Sequence, residues 1–316
     1  MTVMLLIGDC REQLRSMRSG SVHTCVTSPP YFGLRDYQVK EQIGLEPTPD
    51  EFVAAMVEVF REVKRVLRDD GTLWLNLGDS YSVKHVGRRD HGTGEKTSRL
   101  GPNKDGIPNG TEIAASGNIL VPGMKPKNLI GIPWRVAFAL QADGWYLRQD
   151  IIWSKPNPMP ESVTDRCTKA HEYIFLLSKS PRYYFDSEAI KERSVSAGRI
   201  PGGNKNIDAS RHDANRDMSV PVQDFRNRRS VWTVSTKPFK GAHFATFPPD
   251  LIEPCVLAGC PAGGTVLDPF GGAGTTGLVA QRHGRNSVLC ELNYDYAAIT
   301  CERLGDVFGW LPECME

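Results

Sequence analysis

A Ser-Pro-Pro-Tyr tetrad at residues 28–31 has the side chains needed to hold a flat ring that bears an amine. It follows the apolar run 23–27, which predicts a buried strand that ends in a stiff turn. Two consecutive prolines fix φ and remove two backbone donors, so the turn presents carbonyl oxygens that lack local partners. The hydroxyl of Ser28 and such a carbonyl can accept hydrogen bonds from an –NH2 group while the ring of Tyr31 stacks on a flat partner. The exocyclic amine of a nucleobase fits that description, and an ordinary Pro-Pro loop after a strand is the competing interpretation.

A glycine-rich turn near the other end of the chain is typical of nucleotide-binding folds. Residues 266–280 run from an apolar strand through Asp-Pro-Phe into the glycines and then into a predicted helix. Glycines let the backbone approach a ligand closely, and a helix N-terminus offers free N–H groups and a positive dipole end. The next predicted strand, 286–290, leads to Glu291, 23 residues after Asp268. In doubly wound folds an acidic residue about 20 residues further on grips a ribose diol.

Together these two segments resemble the DNA amino-methyltransferases, which methylate an exocyclic nitrogen of cytosine or adenine with S-adenosylmethionine. The family tetrad has Ser, Asn or Asp, then Pro-Pro, then an aromatic residue, and the family cofactor loop is similar to residues 268–274. Here the catalytic motif precedes the cofactor motif, as in the circularly permuted group called β. The resemblance implies a Rossmann-like class I methyltransferase fold of α/β type. Its sheet is expected to be mostly parallel with one antiparallel strand, helices on both faces and loop-rich insertions.

The resemblance also implies a direct in-line displacement on a base that is flipped out of the duplex. Tyr31 would stack on the base, with Phe32 as a weaker alternative, and the Ser28 hydroxyl and the Pro29 carbonyl would accept the amine hydrogens. The expected catalytic set is therefore Ser28, Pro29, Pro30 and Tyr31. No cysteine nucleophile is required, and Cys25 is expected in the core.

For the cofactor, the resemblance implies that Phe270 contacts the adenosine, Asp268 orders the methionine amine and Glu291 binds the ribose hydroxyls. Asp9, which follows Gly8, is similar to the family motif for the adenine amine, and a plain strand-end turn is the alternative. The remaining candidates are the loop glycines Gly271, Gly272 and Gly274, the polar residues His243 and Thr246 of segment 239–248, and Thr275 and Thr276. His243 could instead cap the helix near residue 249, and the two threonines could cap their own helix.

The first residue of the tetrad bears on the substrate. Ser is commoner in the cytosine-N4 enzymes of this family, while Asp or Asn is commoner in the adenine-N6 enzymes, so cytosine is favoured and adenine is the alternative. An RNA or protein amide methyltransferase is a more distant alternative, because those enzymes usually carry an Asn-first tetrad downstream of the cofactor loop. A nucleic-acid-binding module with a degenerate fold is disfavoured by two intact motifs.

Hydrophobic periodicity places the elements that must position these motifs. A Thr-Pro-Asp-Glu capping box at 48–51 predicts a helix with a core-facing stripe through Leu67, stopped by the Asp-Asp-Gly at 69–71. Further predicted helices cover 10–18, 130–142, 249–259 and 293–304, and predicted strands lie at 4–7, 72–77, near 146–153 and at 172–178. The alternation predicts a mostly parallel sheet. His171-Glu172 is expected to begin a strand, Asp79 to reach the pocket or cap a turn, and Trp74, Trp134 and Trp153 to lie in the core.

Two aperiodic, basic stretches interrupt this pattern. Residues 82–128 carry eight Lys/Arg against four Asp/Glu, and residues 192–230 carry eight against five, whereas the rest of the chain is acidic on balance. Basic insertions predict a phosphate-facing surface, with solvated or disordered loops as the alternative, and the resemblance implies double-stranded DNA as the partner. The expected division is a catalytic half at 1–81 and 129–191, a basic clamp at 82–128, a target-recognition region at 192–230 and a cofactor-binding half at 231–316.

Composition limits the class of protein. Of 316 residues 40% are hydrophobic and the formal net charge is +1, so the chain can bury a substantial core and is not strongly basic overall. No apolar run has membrane length and no signal-peptide pattern is present, which favours a cytoplasmic protein. The eight cysteines form no Cys-x-x-Cys pair or zinc spacing, so free thiols and no metal are expected. A monomer and a homodimer both remain open.

Overall fold

The computed structural model describes residues 1–34, 39, 42–82, 118–119, 121, 123–195, 223–236, 247–305 and 307–308. A nine-stranded sheet forms the centre of this part of the chain, in the spatial order β10-β6-β7-β3-β2-β11-β12-β1-β13. Its strands are β1 (Val3–Ile7), β2 (Val22–Thr27), β3 (Leu67–Leu77), β6 (Tyr146–Ser154), β7 (His171–Ser178), β10 (Val231–Thr233), β11 (Thr265–Asp268), β12 (Asn286–Glu291) and β13 (Val307–Phe308). Short pairs outside the sheet are β4 (Tyr81–Ser82) with β5 (Asn118–Ile119) and β8 (Glu192–Arg193) with β9 (Phe225–Arg226).

One strand of the sheet runs against the others. β7 pairs antiparallel with both β3 and β6, while the remaining neighbours pair in parallel. The expected mixed sheet with one antiparallel strand is confirmed. Because β1, β2, β11 and β12 are parallel, their carboxyl ends meet at one edge, where ligands bind in open α/β sheets.

Six helices cover both faces of the sheet in the described residues: α1 (Cys10–Ser16), α2 (Pro49–Val66), α3 (Ile132–Ala142), α4 (Pro249–Gly259), α5 (Thr275–Arg282) and α6 (Tyr294–Leu304). Alternate residues of the central strands point to opposite faces, so Leu73 and Leu75 pack with α1, α2 and α3 while Trp74 packs with α4 and α5. α6 packs on β1 and β12. The two-sided covering explains why the strands are almost continuously apolar.

The second helix shows how local signals set its start. The Thr48 hydroxyl accepts a hydrogen bond from the N–H of Glu51, and the Glu51 carboxylate accepts one from the N–H of Thr48. This confirms the predicted capping box. The predicted end of the helix is wrong, because α2 stops at Val66 and β3 already begins at Leu67, which pairs with Val22 of β2. Pairing with the neighbouring strand therefore overrides the continuing helical pattern of apolar residues.

Two further expectations concern buried residues. Trp74 and Trp153 lie in the core, at 1% and 4% exposure, whereas Trp134 is only half-buried and meets Phe175 edge-on, with ring centroids 5.0 Å apart. The cysteines among the described residues are free thiols, as expected. No helix in the part of the chain described here is long and apolar enough to cross a bilayer.

The residues at the two ends of each basic stretch are hydrogen-bonded to one another. Next to the first one, the N–H of Ser82 donates to the carbonyl of Asn128 at 2.9 Å and the N–H of Lys127 donates to the carbonyl of Ser82 at 2.7 Å. At the second, β8 pairs antiparallel with β9. Residues 83–117 and 196–222, which make up most of the predicted clamp and recognition region, lie outside the described residues.

Candidate active site

The Ser-Pro-Pro-Tyr tetrad follows directly on β2, at the sheet edge where the parallel strands end. Ser28 and Pro30 line a cleft, and Pro29 is buried behind them. The backbone at Gly44 packs against this turn, since a Cβ there would lie 3.2 Å from the Cβ of Pro30 and from the carbonyl oxygen of Tyr31. Gly44 also has φ +108°, a conformation that other residues rarely adopt. The backbone at Gly44 therefore packs closely on this turn.

The glycine turn follows β11, the strand beside β2. The N–H of Gly271 donates to the carbonyl of Cys290 at 2.8 Å, which ties the turn to β12. Gly274 precedes α5 with φ +73°, and a Cβ there would lie 2.9 Å from Cγ2 of Thr300 on α6. Gly274 thus serves close packing on α6 and does not line the cleft, whereas Gly271 and Gly272 do.

Asp268 joins the glycine turn to the end of β2. Its Oδ1 accepts hydrogen bonds from the Thr27 hydroxyl at 2.6 Å and from the N–H of Phe270 at 3.0 Å. Its Oδ2 accepts one from the Thr276 hydroxyl at 2.6 Å. The residue is 1% exposed, and burial raises the pKa of this carboxyl although the three hydrogen bonds act to lower it. The carboxylate therefore holds together the last residue of β2 and the first turn of α5.

Glu291 ends β12 and receives two backbone donors. Its Oε2 accepts from the N–H of Gly272 at 2.7 Å and its Oε1 from the N–H of Asn293 at 2.8 Å. Burial raises the pKa of Glu291 against the lowering effect of these bonds. Both oxygens keep lone pairs for a further donor such as a hydroxyl group, because a carboxylate offers about four acceptor positions.

Asp9 begins α1 at the same edge. Its carboxylate accepts from the N–H of Arg11 at 2.7 Å and forms an ion pair with the Arg11 side chain. Burial acts to raise the pKa of Asp9, but the hydrogen bonds and charge of Arg11 outweigh it, so the pKa is lowered. Asp9 thus caps α1, a role that the sequence pattern did not predict, and it also lines the cleft.

One cleft with about 1090 Å³ of empty space, part of it open to solvent, is lined by residues of both motifs. Its lining includes most of the sequence-predicted residues: Asp9, Ser28, Pro30, Asp268, Phe270, Gly271, Gly272, Thr275 and Glu291. The cleft offers acidic groups for hydroxyl and amine donors, the Phe270 ring for a flat partner, and glycine backbone for close approach. This donor and acceptor set fits S-adenosylmethionine. Thr276 is fully buried and bonds Asp268, and His243 and Thr246 lie outside the described residues.

Tyr31 faces a second, neighbouring cavity. Its hydroxyl donates to Oε2 of Glu172 at 2.6 Å and lies 3.3 Å from Oδ1 of Asn76. The cavity is lined by aromatic rings, backbone and balanced charges: Tyr31, Phe32, Leu34, Gly78, Asp79, Ser80, Tyr81, Ile132, Glu161, Arg166 and Lys169. Such a lining suits a neutral, polar, flat partner better than a phosphate.

Sequence reasoning missed the groups around the tyrosine. His171 does begin a strand, as predicted, but the role of Glu172 follows from its position beside β3, which no local pattern reveals. Asp79 meets both expectations, because it lines this second cavity and its carboxylate also accepts from the N–H groups of Ser80, Gly131 and Ile132 at the start of α3.

The thiols near the cleft are not activated. Cys25 is fully buried in β2, as expected, and burial raises its thiol pKa well above the ordinary value. Burial also raises the pKa of Cys10 to about 12. A thiol with a raised pKa is a poor nucleophile at neutral pH. Among the described residues no group of His, Cys, Asp and Glu could hold a metal ion.

The chain is similar in sequence to known DNA methyltransferases over most of its length. Residues 22–302 match the N6/N4 family model whose description is DNA methylase. The type II methyltransferase M.Cfr9I of Citrobacter freundii is 49% identical over 300 residues, covering 95% of this chain and 87% of that protein. The type II methyltransferase M.SmaI of Serratia marcescens is 47% identical over 301 residues, covering 95% and 90%.

Two solved structures share the fold. The PvuII DNA methyltransferase, described as cytosine-N4-specific, superposes with a TM-score of 0.64 at 20% identity, covering 97% of this chain and 87% of that one. A putative DNA modification methylase from Thermus thermophilus, solved in complex with S-adenosyl-L-methionine, gives a TM-score of 0.58 at 23% identity, covering 98% and 100%. These likenesses confirm the expected class I methyltransferase sheet.

Proposed function

The chain belongs to the N6/N4 DNA methylase family, and from that premise we propose that it is a site-specific methyltransferase acting on double-stranded DNA. It transfers the methyl group of S-adenosylmethionine to the exocyclic N4 of cytosine. It acts as the modification enzyme of a restriction–modification system, since the relatives at 47–49% identity are type II methyltransferases.

One observation carries the proposal: the catalytic turn and the cofactor loop open into the same cleft. They lie about 240 residues apart in the chain, yet β2 and β11 are parallel neighbours in the sheet, with Thr24 opposite Val266 and Cys25 opposite Leu267. The hydrogen bond between Thr27 and Asp268 joins the ends of these two strands. A methyl donor bound against residues 268–272 therefore lies beside Ser28.

The cofactor supplies an electrophilic methyl group on a sulfonium. Glu291 is the group placed to bind the ribose hydroxyls, because its two oxygens retain acceptor capacity at the end of β12. Phe270, which lines the cleft, would contact the adenosine, and the backbone of Gly271 and Gly272 would leave room for the amino-acid portion. Asp268 orders the loop and is the candidate partner for the methionine amine.

The chain's own groups position the amine for attack. The Ser28 hydroxyl and the Pro29 carbonyl accept its two hydrogens, which draws the nitrogen lone pair out of conjugation with the ring. Tyr31 stacks on the base and keeps its nitrogen in line with the methyl group. The N–C bond forms as the S–C bond breaks, the sulfonium becomes a neutral thioether, and the nitrogen loses a proton to solvent.

Two observations support cytosine over adenine. The tetrad begins with Ser, and the cytosine-N4-specific PvuII enzyme has the same fold over 97% of this chain. Amide and RNA methyltransferases are less compatible, because their tetrad usually begins with Asn and follows the cofactor loop. N6-methyladenine is the alternative outcome of the test below.

The insertions supply the contacts to DNA. Glu192 holds the return of the second stretch, since its Oε1 accepts from Arg226 at 2.8 Å and from Arg229 at 2.6 Å. A region that is closed at its base in this way can extend from the core without disturbing it. We assign target recognition to 192–230 and a clamp on the phosphate backbone to 82–128.

The test is to express the protein in cells that lack DNA methylation and to digest their DNA to nucleosides for mass spectrometry. We expect N4-methylcytosine with the wild-type protein and much less of it with Tyr31→Ala, because the loss of base stacking, about 1–3 kcal/mol, removes most of the turnover. Tyr31→Ala should still bind S-adenosylmethionine in calorimetry. N6-methyladenine alone would refute the cytosine assignment, and methylation of neither base would refute the function.

A further inference from the structure

The hydroxyl of Tyr31 is held by side chains from two other strands. Glu172 belongs to β7 and Asn76 to β3, and the antiparallel register places Asn76 opposite Ile174, beside Tyr173. The Asn76 amide donates to the carbonyl of Tyr173 at 3.0 Å and lies 3.3 Å from Oε2 of Glu172, the oxygen that also accepts from the Tyr31 hydroxyl at 2.6 Å. A short bond from a hydroxyl to a carboxylate is among the stronger neutral-to-charged hydrogen bonds.

The ring of Tyr31 is also fixed along its edge. A Cβ at Gly78 would lie 2.5 Å from Cε2 and 3.0 Å from Cδ2 of Tyr31, so the ring packs directly on the backbone of Gly78. Gly78 follows directly on β3, the strand that carries Asn76. The hydroxyl and one edge of the ring are therefore both constrained before any base arrives.

Glu172 is itself held from the other side. Its Oε1 forms an ion pair with the ammonium of Lys155 at the start of the loop that connects β6 and β7. That ammonium also lies 4.2 Å from the centroid of the Trp153 ring. The Glu172 and Lys155 side chains are only 14% and 17% exposed. Ion pairs this buried add little net stability. The effect of this pair on the position of Glu172, and through it on the ring of Tyr31, is therefore of more interest than its effect on stability.

We propose that Glu172 is a positioning residue that holds the ring of Tyr31 in the orientation required to stack on the extruded base. The inference rests on the proposed function, because it concerns the same base site. A free tyrosine side chain rotates about two bonds, and a fixed ring has lost that freedom before the base binds. Lys155 in turn fixes the carboxylate, and the network connects β6, β7 and β3 to the catalytic turn after β2.

The test compares kcat in three variants and a control. Tyr31→Phe removes only the hydroxyl, Glu172→Met removes the acceptor at similar length, and Glu172→Gln keeps a neutral acceptor. The matched control is Glu253→Met, which removes a carboxylate that pairs with His283 at the end of α5, away from the second cavity. The substrate is an unmethylated duplex that carries the recognition sequence of the protein. That sequence is identified by locating the methylated sites in DNA from cells that express the protein.

We expect Tyr31→Phe and Glu172→Met each to lower kcat about 10- to 100-fold, the range that corresponds to one hydrogen bond to a charged group. Glu172→Gln should lie in between, and Glu253→Met should match the wild type. The Kd for S-adenosylmethionine should stay within about twofold in all of them. The kcat of the double variant Tyr31→Phe/Glu172→Met should be no lower than that of the less active single variant, because both substitutions remove the same hydrogen bond.

A second readout follows the base itself. In duplexes with 2-aminopurine at the target position, stacking on Tyr31 quenches the fluorescence of the flipped base, so Tyr31→Phe and Glu172→Met complexes should be brighter than the wild type. Wild-type kcat in both variants, or effects that multiply in the double variant, would overturn the inference while leaving the methyltransferase function intact. A wild-type protein that transfers no methyl group to DNA would overturn both.

Discussion

Asp268 links the two halves of the site, and the two threonines that bond it allow each half to be perturbed alone. Thr27 ends the catalytic strand β2, Thr276 lies in the first turn of α5, and both hydroxyls donate to the carboxylate at 2.6 Å. Both are 0% exposed. Thr27→Val and Thr276→Val are nearly isosteric, so each removes one hydrogen bond from the same acceptor while keeping the packing.

The magnitudes follow from which oxygen loses its partner. After Thr27→Val, Oδ1 of Asp268 keeps the hydrogen bond from the Phe270 N–H at 3.0 Å, so the cost should be near ~1 kcal/mol. After Thr276→Val, Oδ2 keeps no other hydrogen bond among the described residues, and a buried carboxylate oxygen left unpaired costs about 2–3 kcal/mol. We therefore expect Thr276→Val to be the less stable variant, with a midpoint several degrees below that of the wild type.

The two variants should affect different functional parameters, which a general loss of stability would not do. Thr27→Val should lower kcat about fivefold and leave the calorimetric Kd for S-adenosylmethionine within about twofold, because it loosens the turn that holds the amine. Thr276→Val should raise that Kd about tenfold, because it loosens the cofactor loop. Equal shifts in Kd for both variants, or unchanged kcat in Thr27→Val, would refute the idea that Asp268 joins two separable parts.

Three further outcomes follow from single contacts. Because the pKa of Glu291 is raised in the folded protein, affinity for the cofactor should fall as the pH drops through that raised pKa. The contribution of Glu291 to the free energy of unfolding should fall as the pH rises from its pKa in the unfolded chain to its pKa in the folded protein. Calorimetry and thermal melting of Glu291→Gln should show neither trend. Gly78→Ala places a Cβ 2.5 Å from Tyr31 and should lower kcat more than about tenfold in steady-state assays while cofactor binding persists. Asp79→Ala removes the cap of α3 and should lower the free energy of unfolding in urea by about 1–2 kcal/mol with wild-type Kd for the cofactor.

Elements with their own start and stop signals could be predicted from the sequence. The capping box at Thr48 gives the start of α2, and the apolar segment with proline at its first turn gives α4 at Pro249–Gly259, as predicted. The end of α2 could not be found in this way, because Leu67 continues the helical stripe and also suits a strand. Its pairing with Val22 decides between the two, and that pairing depends on a segment more than 40 residues away.

The candidate site likewise contains residues that could be predicted from the sequence and residues that could not. Residues that belong to a contiguous motif, such as Ser28, Phe270 and Gly272, could be named from local pattern, and the cleft contains them. Glu172 could not, because its neighbour His171 and the apolar run after it describe only the start of a strand. Its meaning comes from the antiparallel pairing of β7 with β3, which brings it to a tyrosine 141 positions earlier in the chain.

The positions of the proposed reacting groups are therefore set by strand pairing and not by motif order. The proposed methyl-donor and base sites are neighbours because β11 lies between β2 and β12, so the carboxyl ends of three parallel strands converge although β11 follows β2 by more than 230 residues. A slip of one residue in either the β2–β11 or the β3–β7 register would turn the side chains of the slipped strand to the other face of the sheet. It would separate Thr27 from Asp268 in the first case and Asn76 from Glu172 in the second. Any chain order that preserves these two registers can preserve the site, which explains how the catalytic motif can precede the cofactor motif here without altering the chemistry.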